Sequence, residues 1–328
     1  MTRCLITGAT GFVGGHLAEA CRARGWTVRA LVRPGSDISL LASLDAELVH
    51  GDLTQLPPGL LDQVDVVFHT AAKVGDWGPA AEYRAINVEG LRALLDACRA
   101  VSLHRFVHFS SLGVYAPRHH HGTDESEPLP AQHMDGYTQS KVEAERLALD
   151  YHARLGVPVV ILRPGFIYGP RDRTLVPRLV ENLRAGIVWY LGSGQQALNT
   201  IYVGNLVQAA LLAAEANGVV GRVYNLTDGE FVSKKHFING VADGLGIQRP
   251  WLHAPLWLAR LTAWWMEPLA RALRFRSPPR LTQARLKFLG LNLDFSIERA
   301  RRELGYAPAT SFDQGLAATL AWLKQPQP

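Results

Sequence analysis

Short apolar runs rich in β-branched residues alternate with amphipathic stretches over the first half of the chain. The runs predict strands at residues 4–7, 27–32, 47–50, 66–69, 105–109 and 157–162. Between them, Leu91, Leu94, Leu95 and Cys98 recur at i, i+3, i+4 and i+7, which places them on one helical face. Strands that alternate with helices predict an α/β fold, a doubly wound parallel sheet with helices on both faces.

The alternation loosens after residue 165, where Pro and Gly become more frequent. One further helix at 206–216 and a strand at 223–226 are predicted. We therefore expect a first domain at 1–168, to which residues 199–228 return. Residues 169–198 and 229–328 should form a smaller C-terminal substrate-binding lobe with a cleft between the two parts.

Residues 255–269 are dense in Trp and Leu. Arg260 and Glu267 interrupt the stretch and Pro268 should kink or end a helix, so a transmembrane span is not expected. Three interpretations remain open: helices packed on the protein body, a lid over an apolar substrate, and a helix in a membrane interface.

The formal net charge of +5 is compatible with nucleic acid, an anionic membrane surface or an acidic cofactor. Because the basic residues are spread along the chain without a Lys/Arg block, nucleic acid is the weakest of these partners. Cys4, Cys21 and Cys98 lie within apolar patterns, which favours buried thiols over a disulfide or zinc site. The first residues do not resemble a secretion signal, so we expect a cytoplasmic protein, with peripheral membrane contact left open.

A glycine-rich loop at residues 8–14 joins the first strand to a helix. Gly8, Gly11 and Gly14 would let the backbone turn sharply and approach a pyrophosphate. The N–H groups at the start of the helix would face its negative charge. In this strand–loop–helix order the motif predicts a Rossmann-type dinucleotide site.

The end of the second strand distinguishes the two nicotinamide cofactors. An acidic residue there would bind the ribose hydroxyls of NAD, whereas this chain has Arg33, a cation suited to a 2′-phosphate. The sequence therefore favours NADP, with NAD still possible because Asp37 follows shortly after.

Tyr137 and Lys141 lie four residues apart at the start of a predicted helix and should share one face. An ammonium beside a tyrosine lowers the pKa of the phenol and lets it exchange a proton with a substrate hydroxyl or carbonyl. Ser111, in a serine pair after the strand at 105–109, should reach the same oxygen, because active sites of open parallel sheets lie at the carboxyl edge.

A second cluster, His119, His120 and His121, invites a metal interpretation. Adjacent histidines on a loop cannot readily face one ion, and no carboxylate or Cys is spaced to complete the site. We therefore expect a solvated loop.

Taken together, the motifs resemble an extended short-chain dehydrogenase/reductase over nearly the whole chain. They are TGATGFVGG at 7–15, HGDL at 50–53, FHTAA at 68–72, INVEG at 86–90, FSSLGVY at 109–115, YTQSK at 137–141 and RPGFIYGP at 163–170. The resemblance implies Ser111, Tyr137 and Lys141 as the catalytic triad. It implies a cofactor site made of Gly8, Thr10, Gly11, Phe12, Val13, Gly14, Arg33, Asp52, Leu53, Thr70, Ala71, Ala72, Lys73, Asn87, Tyr137, Lys141, Pro164, Gly165, Phe166 and Ile167. Within it, Asp52 and Leu53 would contact the adenine, Asn87 would hold the geometry, and 164–167 would lie along the nicotinamide.

The C-terminal segments 255–259, 277–282 and 294–306 resemble the 3β-hydroxysteroid dehydrogenase and sterol C-4 decarboxylase branch. This resemblance implies an apolar, sterol-like substrate whose secondary alcohol loses its proton to Tyr137. Lys141 would lower the pKa of Tyr137 and bind the ribose, and Ser111 would hold the substrate oxygen. A carboxylate next to the new ketone would leave as CO₂. A homodimer face formed by 91–98 and 142–149 is compatible with the family.

Three alternatives stay open. The same scaffold could reduce a 3-oxo acyl or flavonoid-like ketone, or epimerise a nucleotide sugar. The Trp-rich segment argues against the epimerase, which should favour a polar cleft. A cofactor-sensing protein without catalysis would not need Ser111, Tyr137 and Lys141.

Overall fold

The computed structural model describes residues 1–75, 77–272 and 282–325. Its centre is a parallel sheet of seven strands. They are β1 (Arg3–Thr7), β2 (Thr27–Val32), β3 (Glu47–His50), β4 (Val66–His69), β5 (Arg105–Phe109), β7 (Val159–Pro164) and β11 (Val223–Leu226). Their order across the sheet is β11-β7-β5-β4-β1-β2-β3. The predicted doubly wound parallel sheet is confirmed, and each of the seven predicted strands belongs to it.

One predicted strand boundary was wrong. The strand expected at 157–162 is observed at Val159–Pro164. It begins later than expected because the amide of residue 157 still takes part in the hydrogen bonding that ends the preceding helix. Gly156 adopts a left-handed conformation with φ of 71°, and the Val157 amide donates to the Tyr151 carbonyl at 3.3 Å. This bond closes the end of the helix, so the strand begins only after it.

Short strands outside the main sheet form three parallel pairs. They are β6 (His120–Thr123) with β13 (Leu293–Phe295), β8 (Phe166–Tyr168) with β10 (Thr200–Tyr202), and β9 (Tyr190–Leu191) with β12 (His253–Ala254). The prediction of a solvated histidine loop was therefore wrong for His120, which is 1% exposed. Its imidazole packs 4.6 Å from the Phe295 ring and its Nε2 lies 2.9 Å from the Ala116 carbonyl. Among the described residues no metal-binding cluster occurs.

Helices cover both faces of the sheet and build the remaining part of the molecule. They are α1 (Phe12–Ala23), α2 (Ser39–Ser43), α3 (Ala80–Arg84), α4 (Gly90–Cys98), α5 (Gly136–Leu155), α6 (Leu175–Arg184), α7 (Val203–Glu215), α8 (Lys234–Gly244), α9 (Leu256–Ala272), α10 (Gln283–Gly290), α11 (Glu298–Leu304) and α12 (Phe312–Leu323). A π-helical turn (Ala85–Glu89) precedes α4, and a 3₁₀ turn (Leu112–Val114) follows β5. Helix α7 begins three residues before its predicted start, directly after β10.

Two apolar layers enclose the main sheet, since alternate residues of each strand face opposite sides. Helices α1, α7 and α11 cover one face, and α4 and α5 cover the other. The predicted stripe Leu91, Leu94, Leu95 and Cys98 faces this second layer, where each side chain is at most 3% exposed. These apolar residues therefore belong to the core, and a homodimer through α4 and α5 stays a prediction. The three cysteines are free and buried, as expected.

A third apolar cluster lies beyond the sheet and joins β8 to α6, α8 and α12. The rings of Tyr168, Phe237 and Phe312 pack within 5.9 Å of one another at its centre. Strand β11, within the segment 199–228 that was expected to return to the first domain, pairs with β7 at the edge of the main sheet. The boundaries of the two lobes stay a prediction.

The Trp-rich segment forms helix α9, which continues past Pro268 to Ala272. Of the two expected effects of Pro268, the end of the helix does not occur, and a kink stays a prediction. In the described part of the chain no helix is both long and apolar enough to span a membrane. Of the C-terminal segments compared with the sterol branch, residues 277–281 lie outside the described residues.

Replacing Gly14 by Ala should destabilise the protein, because the new Cβ would lie 2.2 Å from the Gly8 carbonyl oxygen. We expect a loss of about 1–3 kcal/mol in the free energy of unfolding, measured by urea titration. Gly15→Ala is the matched control on the same helix, since its Cβ would meet the end of the flexible Leu40 side chain at 3.0 Å and the Ala9 carbonyl oxygen only at an ordinary contact distance of 3.6 Å. Equal losses in the two variants would contradict the close approach at Gly14.

Candidate active site

The carboxyl ends of β1 and β4 meet at the point where the strand order reverses. Gly8 follows β1 with φ of +75°, and a Cβ there would lie 2.8 Å from both the Ala71 amide nitrogen and the Thr70 hydroxyl. The Thr70 hydroxyl in turn donates to the Thr7 carbonyl at 2.7 Å. Two loops thus approach each other without an intervening side chain, at the switch point where open α/β sheets bind ligands.

Helix α1 begins at this switch point without a side-chain cap. Gly11 occupies the N-cap position, and the first turn contains no acidic residue. Thr10 and Gly11 are exposed, while Phe12 and Val13 are half-buried. An N-terminus with free N–H groups and close backbone access fits the pyrophosphate of a dinucleotide. The glycine loop at residues 8–14 therefore has the close backbone access and the uncapped helix start that the predicted dinucleotide cofactor requires.

The predicted adenosine end of the site lies beyond β2 and β3. Arg33 is exposed and its charge lowers the pKa of Asp52, although hydrogen bonds from the Thr54 amide and hydroxyl are the larger causes. Asp37 accepts hydrogen bonds from the Ser39 amide and hydroxyl, so its carboxylate is already engaged beside α2. Leu53 is 6% exposed and packs against Gly90. The adenine contacts of Asp52 and Leu53 stay a prediction.

Asn87 ties the loop after β4 to helix α5. Its side-chain carbonyl accepts from the Lys73 amide at 2.7 Å. Its side-chain amide donates to the Lys73 carbonyl at 3.0 Å and to the Ser140 hydroxyl at 2.8 Å. The π-helical turn that carries Asn87 aims the side chain into this gap. Its predicted role in site geometry has direct hydrogen-bond support.

Helix α5 brings Tyr137 and Lys141 to the same edge. Asp135 caps the helix by accepting from the Thr138 amide at 2.7 Å, which sets where the first turn begins. The Lys141 ammonium donates to the Phe109 carbonyl at the end of β5, at 2.7 Å. Ser111 follows two residues later, and its hydroxyl accepts from the Gly113 amide at 3.0 Å. The structure thus brings the three predicted catalytic residues together.

The titration of Tyr137 differs from the sequence-based expectation. Burial and the nearby Asp135 carboxylate raise the pKa of Tyr137 to about 12, against the opposing effect of its hydrogen bond with Ser111. The Lys141 ammonium donates to the Phe109 carbonyl at 2.7 Å, and its lowering of the Tyr137 pKa stays a prediction. Burial lowers the pKa of Lys141 to about 8, with Glu145 opposing. A neutral phenol therefore lies beside a partly titrating ammonium.

Two buried histidines lie beneath Lys141, and the sequence analysis did not single them out. The imidazoles of His69 and His108 stack with centroids 5.4 Å apart. The Nδ1 atom of His69 lies 2.8 Å from the Thr7 hydroxyl, whereas neither ring nitrogen of His108 has a partner among the described residues. Burial lowers the pKa of His69 to about 3, with the Lys141 charge adding to this. Burial, His69 and Lys141 likewise hold the pKa of His108 well below its usual value.

A buried ion pair supports the same helix. Glu145, one turn beyond Lys141, pairs with Arg163 of β7. Glu145 also accepts from the Ser110 hydroxyl at 2.9 Å, and Arg163 donates to the Tyr115 hydroxyl at 2.7 Å. These bonds join α5, β7 and both sides of the turn that carries Ser111. Only the continuing four-residue spacing from Tyr137 to Lys141 to Glu145 could have revealed this pair in the sequence.

Helix α10 forms an unpredicted wall beside the site. Phe288 packs 5.0 Å from Phe166, within the segment predicted to lie along the nicotinamide. Lys287 donates to the Gly113 and Tyr115 carbonyls at 2.5 and 3.0 Å, next to Ser111. Sequence reasoning missed both residues because helix α10 lies far from the motifs in the chain and carries no signature of its own.

The predicted nicotinamide segment is closely packed at its first residues. Pro164 ends the buried strand β7. Gly165 passes so close to another chain segment that a Cβ would lie 1.9 Å from the Asn199 carbonyl oxygen. Phe166 and Ile167 are half-buried and start β8. A larger residue at 165 would push this segment out of position.

The tryptophans of helix α9 are exposed. Trp257, Trp264 and Trp265 are 68%, 61% and 64% exposed. The lid over an apolar substrate and the membrane-interface helix stay predictions, because exposed rings are compatible with both. Beside the site, Phe166 and Phe288 supply apolar surface.

A family model described as the NAD dependent epimerase/dehydratase family matches residues 4–227. The chain belongs to this family. The predicted likeness to extended short-chain dehydrogenases is confirmed, and the protein is an enzyme of the NAD dependent epimerase/dehydratase family.

Relatives of this epimerase/dehydratase chain extend over nearly its whole length. It is 35% identical over 320 residues to a 4-hydroxy-2-methyl-3-oxo-4-farnesyl-3,4-dihydroquinoline-1-oxide ketoreductase of Stigmatella aurantiaca, covering 96% of this chain and 95% of that one. It is 31% identical to the 3beta-hydroxysteroid-dehydrogenase/decarboxylase isoform 1 of Arabidopsis thaliana, covering 97% and 78%. The crystal structure of gox2253 matches with a TM-score of 0.83 and 31% identity, covering 99% and 98%.

Stability should fall as the pH drops below about 6.5, because the unfolded chain then protonates His69 and His108 while the folded chain keeps them neutral. Since both folded pKa values are lowered, the unfolded state binds more protons between pH about 6.5 and about 3. Each histidine contributes a slope of up to about 1.4 kcal/mol per pH unit.

The variant His108→Met should remove about half of this slope in urea titrations between pH about 7 and about 5. His104→Gln is the control, since that side chain is exposed. An unchanged slope in His108→Met would show that the histidine pair does not control the acid sensitivity.

Proposed function

We propose that the protein interconverts a ketone and a secondary alcohol on a bulky apolar ring substrate of the sterol type, with NADP(H) as cofactor. The single observation that carries this proposal is the meeting of Ser111, Tyr137 and Lys141 at the carboxyl edge of the sheet, where Lys141 donates to the Phe109 carbonyl at the end of β5 and Ser111 is near enough to lower the pKa of Tyr137 against the effect of burial. A neutral phenol and a hydroxyl that converge on one point can both bond a single substrate oxygen.

The nicotinamide, when bound, would donate or accept the hydride. Gly8, Gly11 and Gly14 would hold its pyrophosphate, and Lys141 would bind the adjoining ribose. Tyr137 would exchange the proton with the substrate oxygen, while Ser111 holds that oxygen in place. Asn87 and the Glu145–Arg163 pair keep α5 and the Ser111 turn in register, so that proton donor and hydroxyl stay aligned.

The direction of ketone reduction has separate support. With a pKa near 12, Tyr137 carries its proton at neutral pH and is ready to act as an acid towards a ketone oxygen. The relative named a ketoreductase fits this direction. In the oxidative direction, a substrate carboxylate next to the new ketone would leave as CO₂, for which the relative named a dehydrogenase/decarboxylase is the precedent.

The apolar substrate class rests on the site wall and on the relatives. Phe166 and Phe288 offer aromatic faces beside the predicted nicotinamide segment. The two relatives described above are named for a farnesylated ring system and a steroid. A nucleotide sugar would instead need polar groups along this wall, and Lys287 is already bound to two backbone carbonyls there.

Replacing Tyr137 by Phe should lower kcat by about 100-fold to 10,000-fold, because the proton donor is lost while the ring remains. The assay follows nicotinamide absorbance with purified protein, using 3-ketosteroids in one direction and 3β-hydroxysterols, with and without a C-4 carboxylate, in the other. Tyr151→Phe is the control on the same helix, where the hydroxyl donates to Asp96 at 2.9 Å, and it should keep nearly full activity. Equal activities in the two variants would refute the role of Tyr137.

Replacing Arg33 by Asp should shift cofactor use from NADP(H) towards NAD(H). We expect the KM for the phosphorylated cofactor to rise about tenfold or more, since a charge-assisted contact to a 2′-phosphate would be replaced by repulsion. Arg99→Gln, an exposed change on the distant α4–β5 connection, should leave the ratio unchanged. A wild type that already prefers NAD(H) would remove the NADP assignment.

A further inference from the structure

Helix α9 presents a continuous apolar face to solvent. Trp257, Leu258, Leu261, Trp264 and Trp265 are between 42% and 68% exposed. They recur at i, i+1, i+4, i+7 and i+8, which places all five within one stripe of an α-helix. A stripe of this size on one helix indicates a surface that binds something apolar.

The opposite side of α9 is already in contact with the protein. Ala259 is 4% exposed and packs with Leu191 and Leu286. Leu256 lies so close to Gly290 of α10 that a Cβ on the glycine would meet it at 2.4 Å. The helix is therefore anchored on the body by one face, and the tryptophan stripe is the face left outward.

The positive charge of the chain is concentrated in the part of the sequence that contains this helix. Residues 255–287 contain seven of the 34 basic residues and one of the 29 acidic residues, whereas the remainder contains 27 basic and 28 acidic residues. Arg260, exposed on α9 itself, flanks the apolar stripe. The basic residues are dispersed within the segment, so no consecutive run marks it, yet they account for the whole net charge.

We propose that the α9 stripe docks on the surface of an anionic phospholipid bilayer. Indole rings combine an apolar body with a polar N–H, which suits the boundary between headgroups and acyl chains. Neighbouring cations are attracted to anionic lipids and stay at headgroup level. A second copy of the chain is a poorer occupant, because a symmetric contact would bring two equally positive segments together.

This docking would place the membrane beside the wall of the candidate site. Helix α10 contacts α9 through Leu286 and Gly290, and carries Phe288 against Phe166 and Lys287 against the Ser111 turn. An apolar substrate dissolved in the bilayer would therefore be delivered close to the catalytic residues. The docking itself is independent of which ketone or alcohol is used.

Vesicle co-sedimentation of the full-length protein tests the proposal. We compare vesicles of phosphatidylcholine alone with vesicles in which part of it is replaced by phosphatidylglycerol, at about 0.1 M salt. The wild type should bind the anionic vesicles about tenfold more tightly than the neutral ones, and added salt should weaken that binding. Wild-type protein that stays in the supernatant with anionic vesicles would overturn the proposal.

Variants separate the apolar and the charged contributions. The double variant Trp264→Gln/Trp265→Gln should lose at least about tenfold in vesicle affinity. Arg260→Gln should lose up to about fivefold, and only with anionic lipid. The matched control Phe231→Gln/Leu155→Gln changes two exposed apolar residues outside α9 and should bind as the wild type does.

Two further measurements distinguish a loss of vesicle binding from a loss of folding and from a change in oligomeric state. The thermal unfolding midpoint of the double variant should match the wild type, because both rings are exposed. Sedimentation velocity should show the same oligomeric state in the two proteins. A wild type that self-associates through α9, becomes monomeric in the double variant and ignores vesicles would assign the stripe to a second copy and refute membrane docking.

Discussion

Parallel pairing of the seven central strands is the constraint on which the rest of this structure depends. Because every strand runs the same way, each connection must cross a face of the sheet, and every loop after a strand returns to one edge. The glycine loop after β1, the Thr70–Lys73 loop after β4 and Ser111 after β5 meet at that edge for this reason alone. The topology of the sheet thus determines where the site lies, and the side chains determine its chemistry.

Burial at that edge then controls the chemistry. Tyr137, Lys141, His69 and His108 lie within a region where charge is poorly solvated, so the phenol keeps its proton and the imidazoles stay neutral. The Glu145–Arg163 pair is the exception, since each ion meets an oppositely charged partner and further hydrogen bonds. The Glu145–Arg163 ion pair thus joins α5 to β7 behind the uncharged Ser111 and Tyr137 hydroxyls. Because its two charges compensate each other, it adds no unpaired charge to the cleft.

The C-terminal helices α9 and α10 add side chains beside the carboxyl edge of the sheet that the sheet itself does not supply. Helix α10 completes the wall through Phe288 and Lys287, and α9 carries the outward tryptophans and the exposed Arg260. The family model matches residues 4–227, which include the sheet and the glycine loop, whereas α9 and α10 lie outside that match. Because function resides in sites added to a fold, the two proposals above would join substrate access and substrate recognition in this one stretch of the chain.

Much of this protein was determined by local sequence. The seven strands and the buried Leu91–Cys98 stripe follow from hydrophobic periodicity. The glycine loop follows from glycines at positions where the Cβ of another residue would collide with backbone. Both signals are visible in short stretches of the sequence. The Tyr137–Lys141 spacing likewise sets a shared helix face. The tertiary structure alone decided the pKa of Tyr137, the burial of His69, His108 and His120, the partner of Glu145 and the outward orientation of the tryptophans. Each of these depends on which distant segment excludes water from a side chain, and no short-range pattern records that.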